Sequence, residues 1–98
     1  MKGFGNFIDE VTAIGNVTTE DLRLLRMGMK EELKAVNKYE KAAEEATSEA
    51  VSRLFLDIAR EEKVHVGEFE ELLERLDPDY EEAEEEGEKE IEDMLGKE

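Results

Sequence analysis

Glu62 and His65 stand on an apolar helical stripe where hydrocarbon is expected. The stripe runs Val51, Phe55, Ile58, Glu62, His65, Phe69, Leu72 and Leu76. Its steps alternate between four and three residues, which is the heptad seam of one helix face. An unpaired carboxylate buried on such a seam costs several kcal/mol or neutralises itself, and a bound cation removes that cost. A second stripe upstream, Leu22, Leu25, Met29, Glu32, Val36, Tyr39, Ala43 and Ala46, has a single interloper, Glu32. One Glu on a first helix and a Glu-x-x-His on a second make half of the ligand set of a di-iron carboxylate bundle. His65 is the only histidine in the chain, so a complete site needs two chains.

The spacing also predicts that these residues meet. Glu32 lies fourteen residues before Ala46, and Glu62 lies fourteen after Ser48. In an antiparallel hairpin turning between them the two carboxylates share one height, with His65 one turn further along the same face. Two such hairpins related by a two-fold axis offer four carboxylates and two imidazoles. That set neutralises two divalent cations, which a bridging carboxylate holds about 3.5–4 Å apart. Oxygen-rich donors with one imidazole suit Fe²⁺ or Mn²⁺, and Zn²⁺ is a possible substitute.

Blander readings stand beside this one. Glu-x-x-His arises readily by chance on a Glu-rich helix, a lone histidine on an apolar face is often a hydrogen-bonded core residue, and one seam carboxylate can merely fix register. The matched heights of two interrupted seams favour ligation. Tyr39, two turns after Glu32, is either a packed core tyrosine or a hydrogen-bond donor behind the ligands. Glu31 and Glu61 flank the seams, either as solvated charges or as guides drawing metal inward. Met27 and Met29 read as packing.

The elements that must position these residues have clear ends. Thr18-x-x-Asp21 is a variant capping box, with Glu20 and Asp21 complementing the dipole of a helix running from near Thr18 to about Ala46. Thr47-Ser48 makes a turn and a fresh N-cap for a helix from about Glu49 to Leu76. Asp77-Pro78 ends it and starts a third helix over 78–95. That helix is Glu-rich, with too few apolar residues for a core of its own, so it docks on a neighbour or frays. The expected organisation is an N-terminal arm over 1–17, partly mobile, a helical hairpin over 18–76, an acidic helix over 78–95 and a tail over 96–98. The fold class is all-α: an antiparallel two-helix hairpin plus a short C-terminal helix, forming a four-helix bundle on dimerisation.

Composition bounds the function. The 98 residues make one small domain and carry a net charge of −16, from 13 basic and 29 acidic side chains. Such a chain repels nucleic acid and anionic membrane and suits cations. Without cysteine, disulfides and thiolate metal sites are excluded. No apolar run approaches the length of a membrane span, and the default location is cytoplasmic. So small a core favours oligomerisation.

Over residues 29–76, through Glu31-Glu32-Leu33-Lys34-Ala35-Val36-Asn37-Lys38-Tyr39 and Glu61-Glu62-Lys63-Val64-His65, the chain resembles the encapsulated ferritins, a branch of the ferritin-like superfamily with half a ferritin per chain. The resemblance implies a ferroxidase: Fe²⁺ oxidised by O₂ at a di-iron centre shared across a dimer interface, with ligands matching Glu32, Glu62 and His65. It implies a homo-oligomer, a ring-like decamer built from dimers, that stores iron inside an encapsulin nanocompartment in the cytoplasm. Two departures stand out. Lys34 occupies a position where the family often carries an acid for drawing iron in, and Asp93-Met94-Leu95-Gly96-Lys97-Glu98 does not look like a shell-targeting peptide. The natural chain then either continues into a shell domain or is loaded by another device. The rival readings are a non-catalytic acidic helical interaction module and a passive Mn or Fe binder.

Overall fold

The protein is seen in a computed structural model that describes residues 16–96. The expected arm over 1–17 falls outside these residues except for Asn16 and Val17, as do Lys97 and Glu98 of the tail.

Among the described residues three helices follow one another: α1, Thr19–Glu45; α2, Glu49–Leu76; and α3, Pro78–Leu95. Local chemistry sets each end. The Thr18 hydroxyl accepts the Asp21 N–H and the Asp21 carboxylate accepts the Thr18 N–H, both at 3.0 Å, so two of the orphan donors at the start of α1 are satisfied reciprocally. The Ser48 hydroxyl accepts the Val51 N–H at 3.4 Å to open α2. The Asp77 carboxylate accepts the Asp79 N–H at 3.1 Å to open α3, with Pro78 in its first turn. Gly96, at φ +79°, closes α3 in the left-handed conformation that glycine adopts without a Cβ penalty.

The short connection between α1 and α2 folds them into an antiparallel hairpin. Contacts along its length fix the register. Near the turn the Ser52 hydroxyl donates to the Ala43 carbonyl at 2.9 Å. The rings of Tyr39 and Phe55 then lie 5.9 Å apart, centroid to centroid, with 30° between their planes. Toward the open end Gly28 meets Phe69, and Arg26 reaches Asp77 at 3.8 Å. A Cβ on Gly28 would lie 2.5 Å from the Phe69 ring; the missing side chain lets the two helices close at this level.

The buried core of the described residues is thin: Val36 and Ala43 on α1, Ala59 and Leu73 on α2. Val36 and Ala43 belong to the predicted seam of α1. Ala59 and Leu73 do not belong to that of α2; each follows a seam residue, Ile58 and Leu72. Helix α2 therefore turns a different edge of its stripe toward α1. The small side chains of Ser52 and Ala59 face this contact and allow close approach. The row Val51, Ile58, His65 and Leu72 is left half-buried or exposed along one side of the hairpin. Half-buried Leu25, Glu32 and Tyr39 are the corresponding heptad row of α1. One hairpin thus retains an open, mostly apolar side.

Candidate metal centre

Glu32 on α1 and Glu62 and His65 on α2 come together at mid-hairpin, as the register requires. The His65 Nδ1 atom lies 3.2 Å from Glu62 Oε1 and 3.4 Å from Glu32 Oε2. One potential ligand atom from each residue lies within 4.8 Å of those of the other two. The Glu62–His65 contact follows from their i, i+3 spacing on one helix, whereas the Glu32–His65 contact exists only because the hairpin closes.

The cluster faces outward. The side chains of Glu62, Glu32 and His65 are 18%, 26% and 46% exposed, so the imidazole is the most open of the three. The electrostatics record the crowding of two carboxylates. Glu32 is raised above the ordinary carboxyl value, first by sharing a hydrogen bond with Glu62, then by desolvation and by the Glu62 charge, while His65 pulls the other way. His65 is raised from 6.5, first by its hydrogen bond to Glu62; against the opposing effect of desolvation, the charges of Glu32, Glu62 and Glu68 add to the rise. Protons here do what a metal ion does: they offset negative charge that the fold has concentrated. Two carboxylates and one imidazole are a hard, mixed oxygen–nitrogen donor set that leaves most of a metal's coordination positions to other ligands.

Comparison with known proteins identifies the framework. The rubrerythrin family matches residues 23–96. The chain belongs to this ferritin-like family. Over 63 residues, 63% of its length, it is 49% identical to a ferritin-like–encapsulin shell fusion protein of Pyrococcus furiosus (strain ATCC 43587 / DSM 3638 / JCM 8422 / Vc1), and the match spans 18% of that longer protein. The crystal structure of the encapsulated ferritin domain from Pyrococcus furiosus is similar with a TM-score of 0.77 at 40% identity, covering 83% of this chain and 84% of that one. The encapsulated ferritin fold expected from Glu31 to Tyr39 and Glu61 to His65 is therefore the observed one.

The other residues singled out in this encapsulated-ferritin hairpin sit apart from the cluster. Tyr39 stands two turns along α1 from Glu32, half-buried, with Phe55 as its ring partner. Glu31, a candidate for drawing metal inward, is exposed on α1 and pairs with Lys34 at 3.8 Å, an exposed contact that holds its partners weakly. Glu61 is exposed on α2. Glu40 pairs with Lys63, the residue after Glu62, across the hairpin at 3.0 Å.

A second acidic group went unnoticed in the sequence. Glu70 and Glu74 near the end of α2 face Glu84 on α3, again with potential ligand atoms within 4.8 Å of one another. Glu84 is pushed up to about 8, first by a hydrogen bond to Glu74, then by one to Glu70, with desolvation and both charges adding. The Tyr80 phenol beside them is raised by burial and by the charges of Glu70, Glu84 and Glu74. The signal was Glu70-x-x-x-Glu74 on one face of α2 and Tyr80-x-x-x-Glu84 on one face of α3. Bringing them together required the direction in which α3 docks, and it docks on α2.

Proposed function

We propose that the protein is a ferroxidase: it oxidises Fe²⁺ to Fe³⁺, with O₂ as electron acceptor, at a di-iron site formed where two copies of the chain pair through their open sides. The observation that carries this reading is the convergence of Glu32, Glu62 and His65 across the hairpin. Fe²⁺ is the substrate. Each ion surrenders one electron, and the hard carboxylate oxygens favour the more highly charged product ion. Glu32 and Glu62 of the two chains bind and bridge the ions, and His65 ligates through a neutral ring. Because the imidazole is raised, first by its hydrogen bond to Glu62, a metal ion competes with a proton for its ring nitrogen.

The pairing of open sides is supported by the rows around the cluster. Leu25 and Tyr39 on α1, and Ile58 and Leu72 on α2, are only half-buried in the single chain, and a second hairpin packed on them completes a four-helix bundle. Kinship with a protein named as a ferritin-like–encapsulin shell fusion supports iron storage within an encapsulin shell as the setting and the shell protein as the partner. A ring-like decamer built from five such dimers is the assembly we infer.

The test is aerobic Fe²⁺ oxidation, followed by absorbance and O₂ uptake, for the intact chain and His65→Ala side by side, with helicity checked by circular dichroism. Rapid oxidation lost in a still-helical variant is expected. Full activity in His65→Ala, or no oxidation above background by the intact chain, would refute the assignment.

A further inference from the structure

The outer face of α1 is basic in a chain that is otherwise strongly acidic. Arg23, Arg26, Lys30, Lys34, Lys38 and Lys41 follow at steps of three and four residues. At about 100° per residue they fall within roughly one third of the helix circumference. All six are exposed, and the other residues of that sector between them, Met27 and Asn37, are uncharged and exposed. The carboxylates that approach these cations come from the flanks or the ends of the stripe: Glu20 on Arg23 at 3.2 Å, Asp77 on Arg26 at 3.8 Å, Glu31 on Lys34 at 3.8 Å and Glu45 on Lys41 at 3.2 Å. The pairs of Arg23, Lys34 and Lys41, in which both partners are exposed, hold their partners weakly and exchange them readily.

Helix α3 is the complement of that stripe. It carries ten acidic residues and one lysine, Lys89, in eighteen residues, and its length, about 27 Å, matches the span from Arg23 to Lys41. Its first half is engaged with its own α2 through Tyr80 and Glu84, both half-buried. Its second half presents Ile91, Met94 and Leu95, which are 51%, 72% and 72% exposed, on one face flanked by carboxylates. On α1, Met27 lies inside the basic stripe and Leu24 beside it, 53% and 49% exposed. An apolar strip with acidic margins on one helix therefore faces its match, exposed apolar side chains amid basic ones, on the other. The chain's own α3 leaves the stripe uncovered.

We propose that the basic outer face of α1, from Arg23 to Lys41, docks the acidic α3 of a second copy of this chain. This contact lies on the side of α1 away from its buried residues Val36 and Ala43. It is separate from the pairing of open sides and does not depend on the ferroxidase reading.

Charge-swapped full-length chains test it. One variant carries Lys30→Glu, Lys34→Glu and Lys38→Glu; the other carries Glu85→Lys, Glu88→Lys and Glu92→Lys. None of these residues belongs to the Glu32–Glu62–His65 cluster. Sedimentation velocity at low ionic strength should show each variant alone shifted to smaller species, with association weakened about tenfold or more, and an equimolar mixture restored toward the size of the unmodified protein. Added salt should weaken the unmodified contact in the same direction. Unmodified and swapped chains of equal size, or a mixture that stays as small as its components, would overturn the proposal. Because the chain has no cysteine, Lys34→Cys and Glu88→Cys provide a second readout. Chains carrying one each, when mixed, should cross-link to dimer mass. A chain carrying both that cross-links only within itself would show α3 folding onto its own α1 and would equally overturn the proposal.

Discussion

Replacing Gly28 with alanine sets two known effects against each other, and the structure decides their balance. Alanine in a helix interior is favoured over glycine by about 1 kcal/mol. At Gly67, whose added Cβ meets nothing within 4 Å, that gain should appear in full, raising the melting temperature by roughly 4–8 °C for a domain of this size. At Gly28 the added Cβ would lie 2.5 and 2.7 Å from two atoms of the Phe69 ring, closer than carbon atoms approach without a shift, and 3.3 Å from a third. Forcing a methyl group into a packed contact costs about 1–3 kcal/mol, enough to cancel the helical gain or reverse it. Gly28→Ala should therefore leave stability unchanged or lower it by up to about 2 kcal/mol, while Gly67→Ala raises it. Thermal and urea melts followed at 222 nm, at matched protein concentration, measure both. Phe69→Leu in the Gly28→Ala background should recover part of the loss, giving a non-zero coupling in the double-mutant cycle. Equal stabilisation by the two alanines would refute the reasoning, because it would mean that α1 and α2 do not close at Phe69, one turn from His65.

Three further expectations concern charge. Glu32→Gln with Glu62→Gln keeps the shape of the cluster and removes both of its negative charges, so iron oxidation should fall to background in an O₂-uptake assay while the metal-free protein melts at a higher temperature; retained oxidation would exclude these carboxylates as ligands. His65 is raised above 6.5, so its contribution to stability is fully present below about 6.5, the unfolded value, and is lost as pH rises through the higher folded value; because it is the only histidine, its ring proton titration by NMR gives one curve, and a midpoint at or below 6.5 would contradict the hydrogen bond to Glu62. Glu84 is held at about 8 against the ordinary 4.5, so between these values the folded state binds a proton that the unfolded state does not, and stability should fall as pH rises from about 4.5 to about 8; Glu84→Gln should flatten that slope in melts taken across the range, and an unchanged slope would remove Glu84 from the cause.

The helix ends were legible in the sequence because capping is local chemistry: Thr18 with Asp21, Ser48, and Asp77 with Pro78 each act within three residues. The meeting of Glu32, Glu62 and His65 was legible because a short turn fixes the register of a hairpin, and register fixes height. The rotation of α2 was not. Its apolar stripe is wide enough to be shared between two neighbours, and periodicity alone does not say which edge each neighbour takes. Ala59 and Leu73 are buried because the small side chains on that edge let α1 come close, leaving Ile58 and Leu72 on the open side. The meeting of Glu70, Glu74 and Glu84 was hidden for a related reason: it depends on the angle at which the chain leaves Asp77, which side-chain packing sets and no residue pattern encodes. Lys34 shows a limit of resemblance, since the charge at that position is opposite to the one expected and its partner, Glu31, was itself a candidate guide for iron.

A site divided between two chains ties metal to assembly. One hairpin brings two carboxylates and one imidazole to its open side, and the raised Glu32 and His65 show that this much negative charge already attracts protons. Pairing two such sides, as proposed, doubles the charge in one small volume. The half-buried rows of Leu25 and Tyr39, and of Ile58 and Leu72, favour that pairing through apolar burial, while the carboxylates oppose it by repulsion. Two divalent ions cancel the opposing part and leave the favourable one. A ligand that binds the dimer and not the single chain stabilises the dimer by about 2.7 kcal/mol at a hundredfold excess over its dissociation constant. By the same linkage, raising the concentration of chains must raise the apparent affinity for metal. In the proposed dimer the carboxylates that interrupt the two apolar seams would act twice, as ligands and as a brake on pairing, and metal binding would release that brake.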